Sequence, residues 1–425
     1  MAVTFILCWV VLEFGTFSSS LEDEVIQTLE GCPILGINNY ISLAKKPVDT
    51  SGGGYFKIIF DKEYIVTLLG PHICEEEKAK FNRMSPEDKA NNHLFFPTAL
   101  WLPEKQLYLA AARLTIFDWF SFVYVTFFDE DWNEIRETDY IGKTKVPSVI
   151  TLGEMKQAMW WGPEDPRIFQ AFSSEIFFIS TLLEGEPNFN RQINLYQFST
   201  ATHRKLELEE HIGKSYRVEK NWSPLIVDDK HLYFLYKYEG IQIIDCTEES
   251  QPCKRISGSD KPLSRTHGSS PYVKFLNTNY FVSFAWTNIV FTKPHYRPSL
   301  SIIEVLDEGK EFRLIYTSEP LHFTSTAISD PKSLKTKLSN NDLRRVLMIT
   351  SIARWDFESG VTDINLSIDD DMAVAARVSG LTDFVHYIIN VYEYGRLPDE
   401  NSCAEKTAKD YYRSLPKGTF VDSTI

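Results

Sequence analysis

EIFFISTLL (175–183) and QINLYQFST (192–200) decide how this chain is read. Each is a short run dominated by Ile, Phe, Leu and Tyr, and polar residues separate them, which is the pattern of β-strands joined by turns. Moving outward, the same kind of unit recurs as KQLYLAAARLTIF (105–117), FSFVYVTFFD (120–129), HLYFLYKY (231–238), GIQIIDC (240–246), YFVSFAWT (280–287), LSIIEVLD (300–307), RRVLMITSIARW (344–355) and HYIINVYEY (386–394). Helical periodicity is scarce. Its best candidates are Glu22 to Leu29, Glu75 to Lys89 with Pro86 inside, and Ala404 to Ser414, all outside the strand-rich block. A block of roughly 300 residues exceeds one ordinary sandwich and suits four-stranded blades of about 60 residues each. The expectation is therefore an all-β, five-bladed β-propeller with a mixed N-terminal extension. A pair of β-sandwiches satisfies the same pattern, and no exact repeat is visible. The expected division is 1–20 as a signal or membrane-anchor segment, 21–94 as the extension, 95–397 as the propeller and 398–425 as a tail.

Composition narrows the function. The 425 residues are 43% apolar, 14% aromatic and 24% charged, so the chain is globular. A net charge of -14 excludes a broad nucleic-acid or anionic-membrane surface, because those are bound by accumulated Lys and Arg. The apolar run AVTFILCWVVL (2–12), interrupted by Glu13, has the character of a targeting segment. It is short for a bilayer span and has no basic residue before Lys45, so a cleaved signal, an anchor, a chain truncated upstream of a type II anchor and a buried strand all remain open. The six cysteines show no metal-ligand spacing, and no zinc site is expected. In an oxidising compartment Cys246 could pair with Cys253, and Cys32 with Cys74; free thiols are the alternative. Sequons at Asn221 and Asn365 fit a luminal protein, yet both fall inside motifs described next.

Four clusters interrupt apolar strands with polar and ionisable residues. Trp161-Gly-Pro-Glu-Asp-Pro-Arg167 sets Glu164 and Asp165 between two prolines, beside Arg167 and an aromatic platform, which suits a sugar. On spacing alone a surface turn with an Asp165–Arg167 ion pair fits equally. Lys220-Asn221-Trp222-Ser-Pro224 offers donors and a ring for stacking. Arg265-Thr-His267-Gly-Ser-Ser-Pro-Tyr272 permits close backbone approach to a ligand. His295-Tyr296-Arg297-Pro298 adds a basic and aromatic triplet. Dense basic spots on these loops of an acidic chain point to an anionic ligand such as a phosphate or nucleotide sugar. Asp369 to Asp371 and Asp129 to Asp131 could hold a divalent cation, although solvated turns explain the latter equally well. No serine-hydrolase elbow, P-loop, zinc-protease or dinucleotide fingerprint is present.

Taken in order, these clusters, with Leu366-Ser-Ile-Asp-Asp-Asp371 as a fifth, resemble the fungal β-1,2-mannosyltransferases of cell-wall mannan and, more distantly, the inverting β-mannoside phosphorylases and hydrolases. The match spans roughly Phe95 to Tyr394. The resemblance implies a five-bladed propeller and inverting chemistry on a mannosyl unit, with Asp165 as the single acid/base. It further implies substrate contacts from Glu164, Arg167, Trp161, Asn221, Trp222, His267 and Asp371, with Arg167 orienting Asp165 or a sugar hydroxyl, and a donor phosphate held by Lys220, Arg265, His295, Tyr296 and Arg297. The donor would be GDP-mannose and the acceptor a mannan or oligomannoside, with no cofactor, in the Golgi lumen; the N-terminal segment would provide any membrane attachment. The fifth cluster departs from the family's Ser-Tyr-Gly-Ile-Asn-Asp, and a basic cytoplasmic tail is missing. A mannoside phosphorylase using inorganic phosphate and an inert glycan-binding propeller are the alternatives.

Overall fold

The computed structural model describes residues 42–43, 56–58, 60, 65, 68, 83, 93–116, 120–152, 162–184, 190–213, 218–238, 240–259, 266–290, 294–318, 321, 346–368 and 372–393, with backbone alone at 42–43, 56–58, 183–184, 289–290 and 294–295. It is a five-bladed β-propeller. Each blade is an antiparallel sheet whose strands follow the chain from the ring axis outward. Blade 1 is built on His93–Leu102, Leu107–Ile116 and Phe120–Phe128, with Glu134–Ile135 and Ser148–Ile150 at its edge. Blade 2 comprises Gly162–Ala171, Glu175–Glu184, Asn190–Gln197 and Thr202–Leu206. Blade 3 comprises Ser223–Leu225, Tyr233–Lys237, Gln242–Asp245 and Lys254–Ser257. Blade 4 begins with Thr266–Gly268 and Val273–Lys274 and continues through Tyr280–Val290, Pro294–Leu306 and Glu311–Thr317.

Blade 5 is built differently. Leu347–Asp356, Val361–Ile368 and Met372–Ser379 supply its three inner strands, and Ser42–Leu43 and Phe56–Ile58 pair with Met372–Ser379 from outside. Part of the segment expected to form an extension thus completes the last blade. Phe60 then packs edge-on against Tyr124 and Phe128 of blade 1, so the same segment seals the junction where the ring closes.

Side-chain burial explains why a ring forms rather than a pair of sandwiches. Leu109, Val123 and Val125 face Ile168 and Phe178 of blade 2, while their neighbours Tyr108, Ala110 and Tyr124 face Ala353, Ala373 and Ala375 of blade 5. Phe169, Ile179 and Ile193 of blade 2 meet Trp222 and Phe234 of blade 3. Leu225 and Leu235 meet Phe281 and Ile303, and Phe284 and Ile302 meet Ile349 and Leu366. Both faces of each blade are therefore apolar, which is why the strands read as nearly continuous hydrophobic runs.

HYIINVYEY corrects the strand expectation. Leu381–Glu393 is helix α1, with Leu381, Phe384, Val385, Ile388 and Ile389 buried at helical spacing against the core of blades 4 and 5. Three residues that favour strands, Tyr387, Ile388 and Ile389, mask that period when the segment is read from His386 onward. Cys246 and Cys253 form a disulfide across the turn between the third and fourth strands of blade 3, with Cα atoms 4.4 Å apart. Cys32, Cys74 and the helix candidates at 22–29 and 404–414 lie outside the described residues, as does almost all of 75–89. Asn365 is fully buried and its Oδ1 accepts from Ser351 Oγ at 2.7 Å, so this sequon is closed to glycosylation in the folded ring.

Candidate active site

The innermost strands of blades 1 and 2 share a device that the sequence conceals. Phe96 and Asp165 each precede a proline, each adopts a left-handed backbone (φ 52° in both), and each sits in a register shift against the second strand of its blade. A positive φ is uncommon for residues with a side chain, and in blade 2 it turns a strand residue out of the ladder. Gly162 (φ +125°) starts this strand because any Cβ there would strike the Ser121 carbonyl of blade 1. Ser180 Oγ donates to the Glu164 carbonyl at 2.7 Å, and Ser121 Oγ donates to that of Pro163. The acids are thus mounted on a fixed bulge at the start of an inner strand. Antiparallel order puts the starts of all five inner strands on one face of the ring.

The two acids have different surroundings. Arg113, from the second strand of blade 1, donates through NH2 to Glu164 Oε1 (2.9 Å) and lies 3.4 Å from Asp165 Oδ1 through NH1. Its Nε donates to Ser121 Oγ at 3.0 Å, and its guanidinium lies 5.0 Å from the Phe95 ring centre. Arg191, from the third strand of blade 2, takes the other Glu164 oxygen at 3.2 Å. Glu164 is consequently clamped between two guanidinium groups with its side chain 11% exposed, whereas Asp165 is 30% exposed. Charge neutralisation therefore falls chiefly on Glu164, and Asp165 is the carboxylate open to a ligand. Sequence reading missed Arg113 and Arg191 because both stand in strand runs without a motif. The signal for Arg113 was a cation inside an otherwise apolar stretch; Arg191, between Asn190 and Gln192, carried none.

Arg167 is not a ligand contact. It is 1% exposed, its Nε donates to the Ser269 carbonyl (2.6 Å), and its terminal nitrogens donate to the carbonyls of Asp165 and Gly268 (3.3 Å each). Phe96 lies against its guanidinium at 5.1 Å. Burial lowers its pKa to about 10, which leaves it charged at neutral pH. It bears on Asp165 through the main chain.

Blades 3 and 4 divide the remaining expectations. Lys220 is exposed and Asn221, left-handed at φ 62°, is half-buried. Trp222 corrects the sequence reading: it is fully buried against Phe234 and Tyr236, and its Nε1 donates to Glu219 Oε2 at 3.2 Å. Its ring faces the core between blades 2 and 3, so it is no sugar platform. Glu219 also pairs with His211 Nδ1, and burial together with this carboxylate pushes the Tyr236 hydroxyl well above its usual range. His267 lies 4.3 Å from Trp286, and Trp286 meets Tyr296 edge-on at 4.6 Å, giving a three-ring wall that includes a tryptophan not singled out by sequence. Arg297 is buried at 5% exposure and donates through NH1 to the Tyr296 carbonyl at 2.8 Å. Trp161, Arg265, Asp371 and the His295 side chain lie outside the described residues. Asp129 caps its own turn through the amides of Asp131 and Asn133, and Glu130 pairs with Arg354, so this run is a solvated turn. Among the described residues no three His, Cys, Asp or Glu side chains gather as metal ligands, and no helix is long and apolar enough to cross a membrane.

Neither a protein-family model nor a curated protein sequence matches the chain. Among solved structures it is similar to a mannose phosphorylase from Leishmania mexicana (10% identity, 73% of this chain and 94% of that one, TM-score 0.45). It is also similar to a β-1,2-mannobiose phosphorylase from Listeria innocua (8% identity, 70% and 92%, TM-score 0.45) and to a glycosyl hydrolase from Bacteroides ovatus (12% identity, 68% and 84%, TM-score 0.46). At this degree of likeness none of them bears on the chemistry, which rests on the residues above.

Proposed function

We propose that the chain is an inverting β-1,2-mannosyltransferase that uses Asp165 as its single acid/base. The observation carrying this reading is the asymmetry of the acid pair: Glu164 is clamped by Arg113 and Arg191, and Asp165 alone is open. An open acid beside a neutralised one suits a reaction whose attacking group is a sugar hydroxyl or a phosphate, since such a group needs a single proton acceptor. Asp165 takes the proton of an acceptor hydroxyl, directly or through the mannose 3-hydroxyl. The freed oxygen attacks C1 of the α-mannosyl donor, the bond from C1 to the phosphate oxygen breaks on the opposite face, and a β-mannoside and GDP leave. Lys220, exposed beside the acids' blade, supplies charge toward the departing phosphate. His267 and Tyr296, both half-buried and backed by the buried ring of Trp286, offer ring edges and faces to the acceptor. GDP-mannose as donor, mannan as acceptor and a place in the Golgi lumen, reached through the N-terminal apolar segment, belong to this proposal.

The test is to incubate the purified chain with GDP-mannose or mannose 1-phosphate and an α-oligomannoside and to read the product linkage by NMR. A β-linked mannose is expected, with Asp165→Asn lowering the rate by about 10²- to 10⁴-fold. Unchanged transfer in that variant refutes the mechanism. Release of mannose 1-phosphate from a β-mannoside with inorganic phosphate, without transfer from GDP-mannose, identifies a phosphorylase instead. Binding without turnover identifies a glycan-binding propeller.

A further inference from the structure

We infer that Arg167 is a positioning residue: a buried cation that ties the Asp165 end of blade 2 to the His267–Ser269 turn of blade 4, so that the acid and the aromatic wall of the site are held as one unit. Around the axis, neighbouring blades are joined by short bonds between inner strands. Thr98 Oγ1 accepts from Ile168 N (blades 1 and 2, 3.1 Å), Pro224 O from Tyr272 N (3 and 4, 2.8 Å), Ile349 O from Ser269 Oγ (4 and 5, 2.6 Å), and Ser351 Oγ from Ala99 N (5 and 1, 3.0 Å). Arg167 is different in reach. From blade 2 it passes blade 3 and bonds two consecutive carbonyls of blade 4, Gly268 and Ser269.

The chemistry at each end explains why the link matters. On blade 2 the accepting group is the carbonyl of Asp165 itself, which follows a left-handed φ. Fixing that peptide plane fixes the direction of the Asp165 Cα–Cβ bond, and with it where the carboxylate points. On blade 4 the Gly268 carbonyl is adjacent to His267, whose ring is held on Trp286. Gly268 itself has no room to move, since a Cβ there would lie 2.5 Å from the Asn221 carbonyl of blade 3. A guanidinium is the one side chain with a planar fork able to serve several carbonyls at once, and Phe96 stacks against it. An apolar residue of similar size fills the space but leaves three carbonyls without this donor.

The role rests on the transferase reading only for its kinetic readout, so the experiment has two arms. The first is hydrogen exchange on the folded full chain, comparing wild type with Arg167→Lys and Arg167→Met below their melting temperatures. Exchange in segments 162–168 and 266–272 is expected to quicken together, by about 10-fold or more in Arg167→Met and less in Arg167→Lys, with 361–379 unchanged. A change in one segment alone, a uniform change in all blades, or no change overturns the inference. If Arg167→Met does not fold, Arg167→Lys decides by the same criterion. The second arm is kinetic: Arg167→Met lowers kcat on the order of 100-fold with KM within about 3-fold, and adds no further loss in an Asp165→Asn background. Losses that multiply in the double variant overturn the positioning role. A wild type inactive with every donor refutes the transferase reading and leaves the exchange arm to judge Arg167.

Discussion

Replacing Trp222 by Phe separates a core residue from a sugar platform. The structure makes two contributions to the cost. The Nε1 donor to the Glu219 carboxylate (3.2 Å) is lost, and a hydrogen bond to a charged group is worth about 1.5–3 kcal/mol. His211 still pairs with Glu219, so the acid is not orphaned and the lower half of that range applies. The smaller ring also leaves a void between Phe234 and Tyr236, adding about 1 kcal/mol. Together the loss is about 3 kcal/mol. With an unfolding entropy of about 2.1 cal/mol/K per residue over roughly 300 residues, Tm falls by about 5 °C. Circular dichroism melts at neutral pH measure the shift, and mannosyl-transfer assays well below the transition should show acceptor KM within about 2-fold of wild type. A variant of unchanged Tm whose acceptor KM rises about 10-fold or more would refute the reasoning and restore Trp222 to the sugar site.

Gly268→Ala is expected to lower both stability and turnover, because its Cβ must displace the Asn221 carbonyl and Ser223 Oγ where blades 3 and 4 touch; overpacking of this kind costs about 1–3 kcal/mol. A wild-type melting curve with normal kcat would show that the two inner strands have slack. Asp363→Asn acts far from the acids: Asp363 is buried, pairs with Arg377 at 2.7 Å and accepts from Tyr108. Removing its charge weakens the bonds from Arg377, which keeps the Glu130 carbonyl as an acceptor, at a cost of about 1.5–3 kcal/mol in a chemical denaturation series. Turnover of the folded protein should be unaltered, and a selective loss of kcat would contradict its purely structural role.

Fold class was legible because every blade is apolar on both sides, which makes strand runs such as EIFFISTLL hard to mistake. The closing pairs were not. Leu43 meets Val378 across most of the chain, and no local pattern announces a partner at that separation. In the site, Asp165 was visible through its prolines, whereas Arg113 was not, since its meaning depends on which blade its strand faces. Trp222 misled for a related reason. Its neighbours Lys220 and Asn221 have the composition of a solvated turn, yet the indole is directed inward between two blades. The helical part of 381–393 was hidden by side chains that also favour strands.

Closure of blade 5 by Ser42–Leu43 and Phe56–Ile58 has a bearing on how the protein comes into being on the ribosome. The strands made early must wait for Met372–Ser379, the last of the described strands in chain order, before they have a partner. Until then the apolar flank of blade 1 containing Tyr108, Ala110 and Tyr124 is without Ala353, Ala373 and Ala375 of blade 5 against it. The nascent chain therefore carries a sticky open arc from the completion of blade 1 until blade 5 is made, and its need for chaperone protection is set by this one late seam.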